Sequence, residues 1–281
     1  VHPDGQQVCY FDEGKLYATN IESKKEEILF DIKGRISGRI RFSGSFTNNG
    51  EYTLFSSVEE ESNKIFRVNL STDEIILAHE KIGGRISHPL INPVYPDLIS
   101  FVPGPDTQND MSLPQELRAR NWIIDLSSGI VRQFLTREKG FRATHETWST
   151  DGEKFFFFQK TVPGWLPVSI YSMDKNGNNE IVYYGSDTVR LGHGISDVSG
   201  KWFISDSQEP GTNPLTLINL ETGKSKIIDW PNSSMDSGDG KFSHVHPFFS
   251  SSGKYIGYTS DKSGIPQVYV VPVAEFVNNG I

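Results

Sequence analysis

The sequence predicts an all-β fold of the β-propeller class, built from four-stranded antiparallel blades. Short β-rich runs, each opened by a Gly or Asp turn residue, recur at intervals of 45 to 55 residues along the chain. A second turn-flanked hairpin follows in most of these repeats, and no long amphipathic helical run stands out. Four-stranded repeats of about 40–50 residues are typical of propeller blades, which pack radially and so cover both faces of each sheet.

The elements follow in chain order from the turn residues. The opening runs are residues 6–11, 51–56, 98–102, 153–158, 201–205 and 254–260. The second hairpins begin with the runs 16–21, 65–70, 122–126 and 215–220. We therefore predict about six blades in a single domain over residues 1–281, with a long loop at 104–120 between two strands of one blade. The alternative fold is a β-sandwich, which does not require this regular repetition.

Composition excludes several classes of protein. The chain has 281 residues, one cysteine and a formal net charge of −8. A chain of this length buries a core without covalent staples, and one cysteine excludes a disulfide framework or a cysteine-rich zinc module. The acidic balance argues against a nucleic-acid partner. There is no apolar stretch of transmembrane length, no phosphate-binding glycine motif and no Gly-x-Ser-x-Gly.

Five of the seven histidines stand at equivalent places, just before the run that opens a repeat: His88, His145, His193, His244 and His246. Equivalent places of propeller blades share one radius and height, so these side chains are expected to converge on one face. His244 and His246 project to the same side of an extended segment. With His193 from the neighbouring blade they would offer three imidazoles to a catalytic divalent metal such as Mn, Zn, Fe or Ni. The alternative is a hydrogen-bonded His-x-His pair without metal.

Other polar residues are candidates for catalysis and for substrate binding. His145 precedes Glu146 and Trp148, and an imidazole with a reference pKa of about 6.5 suits a general base at neutral pH. A structural histidine within the turn is the alternative. Arg118 and Arg120 end the long loop, where a guanidinium can bind a carboxylate as a fork. The alternative for each arginine is a solvated surface charge.

These residues lie in motifs that resemble those of oligogalacturonate lyases. The motifs extend from about residue 85 to 270 and comprise His88-Pro89-x-x-Asn92-Pro93, Arg120-x-Trp122, Thr144-His145-Glu146-Thr147-Trp148, Ser243-His244-Val245-His246-Pro247 and residues 258–269. The resemblance implies a seven-bladed propeller that cleaves short uronate oligosaccharides by β-elimination, with bound Mn²⁺. Because about six blades are visible, we expect either that N-terminal blades are missing from this chain or that the fold closes with fewer blades.

The resemblance also implies roles for single residues. The metal ligands would be His193, His244 and His246. His145 would be the base, and Arg120 would act beside the substrate. The chain departs from the family at Lys241, which stands where the family has a glutamine ligand. Because an ammonium does not ligate a metal, the fourth position falls to water or to another residue, or no metal binds.

We therefore expect a carbon–oxygen lyase that acts on acidic, pectin-derived oligosaccharides, with Mn²⁺ as cofactor and Zn²⁺ or another divalent ion as alternatives. Further substrate contacts are expected from His88, Arg118 and Lys241. The alternative functions are a non-catalytic propeller that binds glycan or protein, and a propeller domain detached from a hydrolase. We expect a monomer or weak oligomer without nucleic-acid or membrane partners, in the cytoplasm or alternatively the periplasm. Galacturonate, glucuronate and other uronates all remain open as the substrate.

Overall fold

The computed structural model describes residues 2–104, 108, 112–114, 118–209, 212–235 and 243–277. The chain comprises two compact units, residues 1–137 and 138–281. Each unit contains three antiparallel sheets in which consecutive strands pair side by side. The one helix in the described part, α1, spans Ala274–Val277. None of the described helices is long and apolar enough to cross a membrane.

The first unit holds three sheets that follow one another along the chain. Their strands are β1 (Gln7–Asp12), β2 (Lys15–Asn20) and β3 (Glu26–Asp31); β4 (Arg39–Phe46), β5 (Tyr52–Val58), β6 (Ser62–Asn69) and β7 (Glu74–Ile82); and β8 (Ile86–Ile91), β9 (Leu98–Pro103), β10 (Asn121–Asp125) and β11 (Ile130–Leu135). Because β9 and β10 pair with each other, the segment 104–120 joins two strands of one blade, as predicted.

The second unit has the same construction. Its strands are β12 (Phe141–Trp148), β13 (Lys154–Thr161), β14 (Val168–Asp174) and β15 (Ile181–Ser186); β16 (Leu191–Ser196), β17 (Trp202–Ser207), β18 (Leu215–Asn219) and β19 (Ser225–Asp229); and β20 (Phe248–Phe249), β21 (Tyr255–Ser260) and β22 (Gln267–Pro272). The prediction of an all-β chain with six blades is confirmed. Four sheets have four strands, and the first and last have three within the described residues.

Packing within each unit is that of propeller blades. The first strands of successive sheets contact one another, as in the pairs β4 with β8, β12 with β16, and β16 with β20. Apolar side chains fill the space between neighbouring sheets. In the second unit the rings of Phe158 and Phe203 lie 6.0 Å apart between two sheets, and Ile204 shares the next cluster with Ile256. The first unit repeats this arrangement, so the predicted propeller class is confirmed.

In five of the six sheets the blade begins one strand earlier than the sequence predicts. The runs that follow the turn glycines at 50, 152, 200 and 253 are second strands, namely β5, β13, β17 and β21. Each of these glycines has a φ between 67° and 72°, a left-handed value that glycine adopts without steric cost. The tight turn therefore joins the first two strands of a blade. Consequently the histidines expected before the first strand lie within it in three blades, and only His244 and His246 precede theirs.

Candidate functional site

Two first strands of the second unit are interrupted by β-bulges, and each bulge carries a histidine. The register of β12 on β13 shifts between Thr144 and Thr147, which places His145 in the bulge. The register of β16 on β17 shifts between Leu191 and Gly194, which does the same for His193. A bulge re-aims a side chain relative to the pleat of the strand. This local irregularity, and not strand alternation, therefore directs the two imidazoles.

The two glycines that flank His193 are required by close approach of the neighbouring strand. A Cβ atom on Gly192 would lie 2.7 Å from Oδ1 of Asp206. A Cβ atom on Gly194 would lie 2.6 Å from the backbone oxygen of Ile204. No side chain fits at these distances, which are shorter than ordinary van der Waals contact. The Gly-His-Gly sequence thus lets β17 press directly against the bulge.

Left-handed backbone recurs at the histidines. The φ angle is 54° at His145 and 43° at His246, and such values are uncommon for residues other than glycine. Strained backbone of this kind costs on the order of 1–3 kcal/mol per residue and clusters at functional sites. His88, in the bulge of β8 in the first unit, has a φ of 50°. The strain therefore supports a functional role for this position of the blade.

Four imidazoles of the second unit lie together. One ligand atom each of His193, His244 and His246 can be chosen so that all three lie within 4.8 Å of one another. The ring of His193 stacks on that of His246 at 3.7 Å, and both lie 5.6 Å from the ring of His244. His145 adjoins this group, with its ring centroid 4.4 Å from that of His193. The predicted convergence of these four histidines is therefore found.

The donor set fits a divalent transition metal. Three neutral imidazoles are the ligand type that such ions prefer, and the remaining positions would be open to water or substrate. Desolvation and the neighbouring His193 lower the pKa of His246 to about 4, with a smaller contribution from His244, whereas Asp206 acts in the opposite direction. His246 is therefore uncharged at neutral pH, which is the form that binds a metal.

His145 has a different surrounding from the three-histidine group. Its ring lies 6.2 Å from that of Phe158 and 6.3 Å from that of Trp165. The indole Nε1 of Trp165 donates to the backbone oxygen of Leu191 at 3.2 Å, which fixes the indole beside the β16 bulge. The ammonium of buried Lys160 lies 3.0 Å from the centroid of the same indole. His145 thus has the ring of His193 and the rings of Phe158 and Trp165 as neighbours. The indole of Trp165 in turn contacts the ammonium of Lys160.

Asp206, Gln208 and Trp165 were not anticipated from the sequence. The carboxylate of Asp206 is fully buried at the end of β17, opposite the β16 bulge. The side-chain nitrogen of Gln208 lies 3.1 Å from Nδ1 of His193. One sequence signal existed: Asp206 follows the strand run Trp202-Phe203-Ile204-Ser205, and an aspartate in a buried strand is costly unless it has hydrogen-bond partners.

The remaining predicted site residues lie elsewhere in the chain. His88, Arg118 and Arg120 belong to the first unit. Arg120 precedes β10 and donates its backbone N–H to Leu135 at 2.7 Å. Lys241 lies outside the described residues. The roles predicted for these four residues stay predictions.

Comparison with known proteins gives a consistent result. No protein-family model matches the chain. The oligogalacturonide lyase of Pectobacterium atrosepticum is 26% identical over 242 residues, which cover 77% of this chain and 57% of that protein. The oligogalacturonate lyase of Dickeya dadantii is 24% identical over 233 residues, or 76% of this chain and 56% of that protein. The chain thus spans a little more than half the length of these relatives.

Among solved structures, an oligogalacturonate lyase in complex with manganese matches 97% of this chain and 75% of its own, with a TM-score of 0.76 and 20% identity. At this identity the likeness concerns the fold. The sequence matches cover about three quarters of the chain. The chain is therefore similar to oligogalacturonate lyases in sequence over about three quarters of its length, and to one of them in fold over nearly all of it.

Proposed function

We propose that the chain is a polysaccharide lyase that cleaves short, pectin-derived oligosaccharides of uronic acids by β-elimination. The observation that supports this most is the geometry of the four histidines. Three of them can present ligand atoms within 4.8 Å of one another, and the fourth, His145, has its ring 4.4 Å from that of His193. A metal-ligand set next to a separate imidazole base is an arrangement suited to proton abstraction beside a carboxylate.

His193, His244 and His246 would hold a divalent cation, with Mn²⁺ as the first choice because a structural relative is described as a manganese complex. When bound, the cation would supply positive charge beside the uronate carboxylate, which makes the neighbouring C5–H bond more acidic. We expect Zn²⁺ or another divalent ion to be the alternative occupant.

The chain's own residues would carry the proton transfer and the binding of the sugar. His145 would take the C5 proton on a ring nitrogen. The electron pair of the C–H bond then forms the C4–C5 double bond, while the C4–O bond breaks and its oxygen leaves with that bond's electron pair. Arg120 is proposed to act beside the reacting uronate, and the other proposed contacts to the carboxylates are His88, Arg118 and Lys241.

Incubation of the purified protein with short oligogalacturonates tests this proposal. The unsaturated uronate product absorbs in the ultraviolet, so absorbance should rise with Mn²⁺ and cease to rise when a chelator is added. Glucuronate and other uronate oligomers should be assayed in parallel, since the sequence leaves the sugar open. Absence of unsaturated product from every uronate, with the oligosaccharides still bound, would favour the non-catalytic binding propeller. The cytoplasmic location, with the periplasm as alternative, stays a prediction.

A further inference from the structure

We propose that Asp206 is the positioning residue of the histidine group. Its carboxylate holds His193 in the tautomer with the proton on Nδ1, and it ties the β16 bulge to the segment that carries His246. The proposal rests on the metal function given above, because it concerns which nitrogen of His193 is offered to a cation. The observation that supports the role of Asp206 is a separate one, namely the set of hydrogen bonds around its buried carboxylate.

Asp206 is fully buried and accepts from donors on three segments of the second unit. The backbone N–H of His193 donates to Oδ1 at 2.7 Å, and the side-chain nitrogen of Gln208 donates to the same oxygen at 3.3 Å. The backbone N–H of His246 donates to Oδ2 at 3.2 Å. Nδ1 of His193 lies 3.0 Å from Oδ2. A buried carboxylate is costly unless its oxygens are satisfied in this way.

The identity of the acceptor decides the tautomer of His193. An ionised carboxylate can only accept hydrogen bonds, so a lone pair on Nδ1 at 3.0 Å from Oδ2 would be repelled. A proton on Nδ1 instead makes a charge-assisted hydrogen bond, which is about twice as strong as a neutral one. The side-chain nitrogen of Gln208 also lies 3.1 Å from Nδ1, and it has two hydrogens, one of which Oδ1 of Asp206 accepts. Donation of the other hydrogen to a lone pair on Nδ1 would be a neutral hydrogen bond, which is weaker than the charge-assisted bond from Nδ1–H to Asp206. The proton therefore belongs on Nδ1, and the lone pair of Nε2 is left for a cation.

The same carboxylate also sets the distance between two ligands on different sheets. His193 lies in β16, whereas His246 lies in the segment before β20. Each donates its backbone N–H to Asp206, so the two backbones are held to one anchor. Their rings are stacked at 3.7 Å. Carboxylate partners of this type fix the orientation of metal-ligating histidines, and their removal typically costs about 10–100-fold in metal affinity.

Two measurements test the proposal. The first is a long-range ¹H–¹⁵N spectrum of metal-free protein with labelled histidine, at a pH where the rings are neutral, with the His193→Gln variant to assign the signal. We expect His193 to be protonated at Nδ1. The second is Mn²⁺ titration by calorimetry of the wild type and Asp206→Asn. The variant should bind about 10–100-fold more weakly and should lose the Nδ1-protonated signal.

Asp197→Asn is the matched control. Asp197 is also a buried carboxylate of the β16–β17 hairpin, but it accepts from Ser199 and from the backbone of Trp202. Its substitution should leave Mn²⁺ affinity and the tautomer unchanged. A proton on Nε2 of His193 in the wild type overturns the proposal, even if Asp206→Asn does not fold. So does unchanged Mn²⁺ affinity in a folded Asp206→Asn protein. If the wild type binds no Mn²⁺ but His193 is protonated at Nδ1, the role of Asp206 is supported and the proposed metal function fails.

Discussion

At the scale of single residues, neighbouring imidazoles have different proposed tasks. The ring of His145 is only 4.4 Å from that of His193, yet we assign proton transfer to the first and metal binding to the second. His145→Ala should lower turnover by about 10²–10⁴-fold, the typical contribution of a general base, and leave the bound metal in place. His244→Ala should lower the metal content itself. Elemental analysis and the ultraviolet assay, run on both variants, separate the two effects.

His79→Ala serves as the control for both substitutions. His79 is a half-buried histidine of β7 in the first unit, outside the predicted site residues. Its replacement should leave metal content and turnover near wild-type values. Loss of metal in His145→Ala would mean that His145 is itself a ligand, and the base would then have to be sought elsewhere.

The lowered pKa of His246 predicts a pH-dependent stability for the metal-free protein. Its pKa is about 4 in the folded chain, against a reference of 6.5. Between these values the unfolded chain binds the extra proton, so the contribution of His246 to the free energy of unfolding rises with pH across this window and is constant above it. Chemical denaturation of wild type and His246→Gln in the presence of a chelator measures this contribution as a difference. A difference that stays flat from pH 4 to 6.5 would contradict the lowered pKa.

At the scale of elements, the sequence predicted the positions of individual strands along the chain more accurately than the order of those strands within a blade. Turn glycines and β-rich runs mark β5, β13, β17 and β21 to within three residues at either end. The strand before the glycine is harder to recognise, because a bulge breaks the alternation of apolar and polar residues in β4, β12 and β16, and β20 has only two residues. Since His145 and His193 lie in those bulges, the sequence indicated which histidines converge but not that a first strand carries them.

The bulge of β16 should tolerate no side chain at Gly194. Alanine there would place its Cβ 2.4 Å from Cε1 of Phe203 and 2.6 Å from the backbone oxygen of Ile204. The strand pair would have to separate, and overpacking of this kind typically costs about 1–3 kcal/mol or more in the free energy of unfolding. Gly164→Ala is the control, because its nearest contact would be an ordinary 3.5 Å from Oγ1 of Thr161. Equal stability of the two variants in urea denaturation would show that β17 does not press on the bulge.

At the scale of the whole molecule, the repeat pattern of the sequence predicted six blades. Contacts between residues that are far apart in the chain could be identified only from the structure. Asp206 follows His193 by 13 residues and precedes His246 by 40, and no local pattern relates positions on two sheets. The global charge was a poor guide as well. A net charge of −8 does not favour binding of an anionic sugar, but a cation held by three histidines would supply positive charge where the proposed reaction needs it.

The last sheet bears on the expected oligomeric state. In the described residues β22 pairs on one side only, with β21. Its side chains Val268 and Val270 are 67% and 61% exposed, on the face that also carries Tyr255. An apolar face beside an unpaired strand edge favours association between copies of a chain. Of the two states expected from the sequence, a monomer or a weak oligomer, this feature favours the second, and we predict weak, concentration-dependent self-association.

Replacing both valines by lysine should abolish this association, because charges on an edge strand oppose pairing with another chain. Sedimentation velocity over a range of concentrations measures the change. Ile130→Lys is the control, since Ile130 is also exposed, at 53%, but belongs to β11, a strand of another sheet. If the double variant associates as strongly as the wild type, the contact lies on another surface. If the wild type sediments as a monomer at every concentration, the exposed face of β22 does not bind a second copy of this chain.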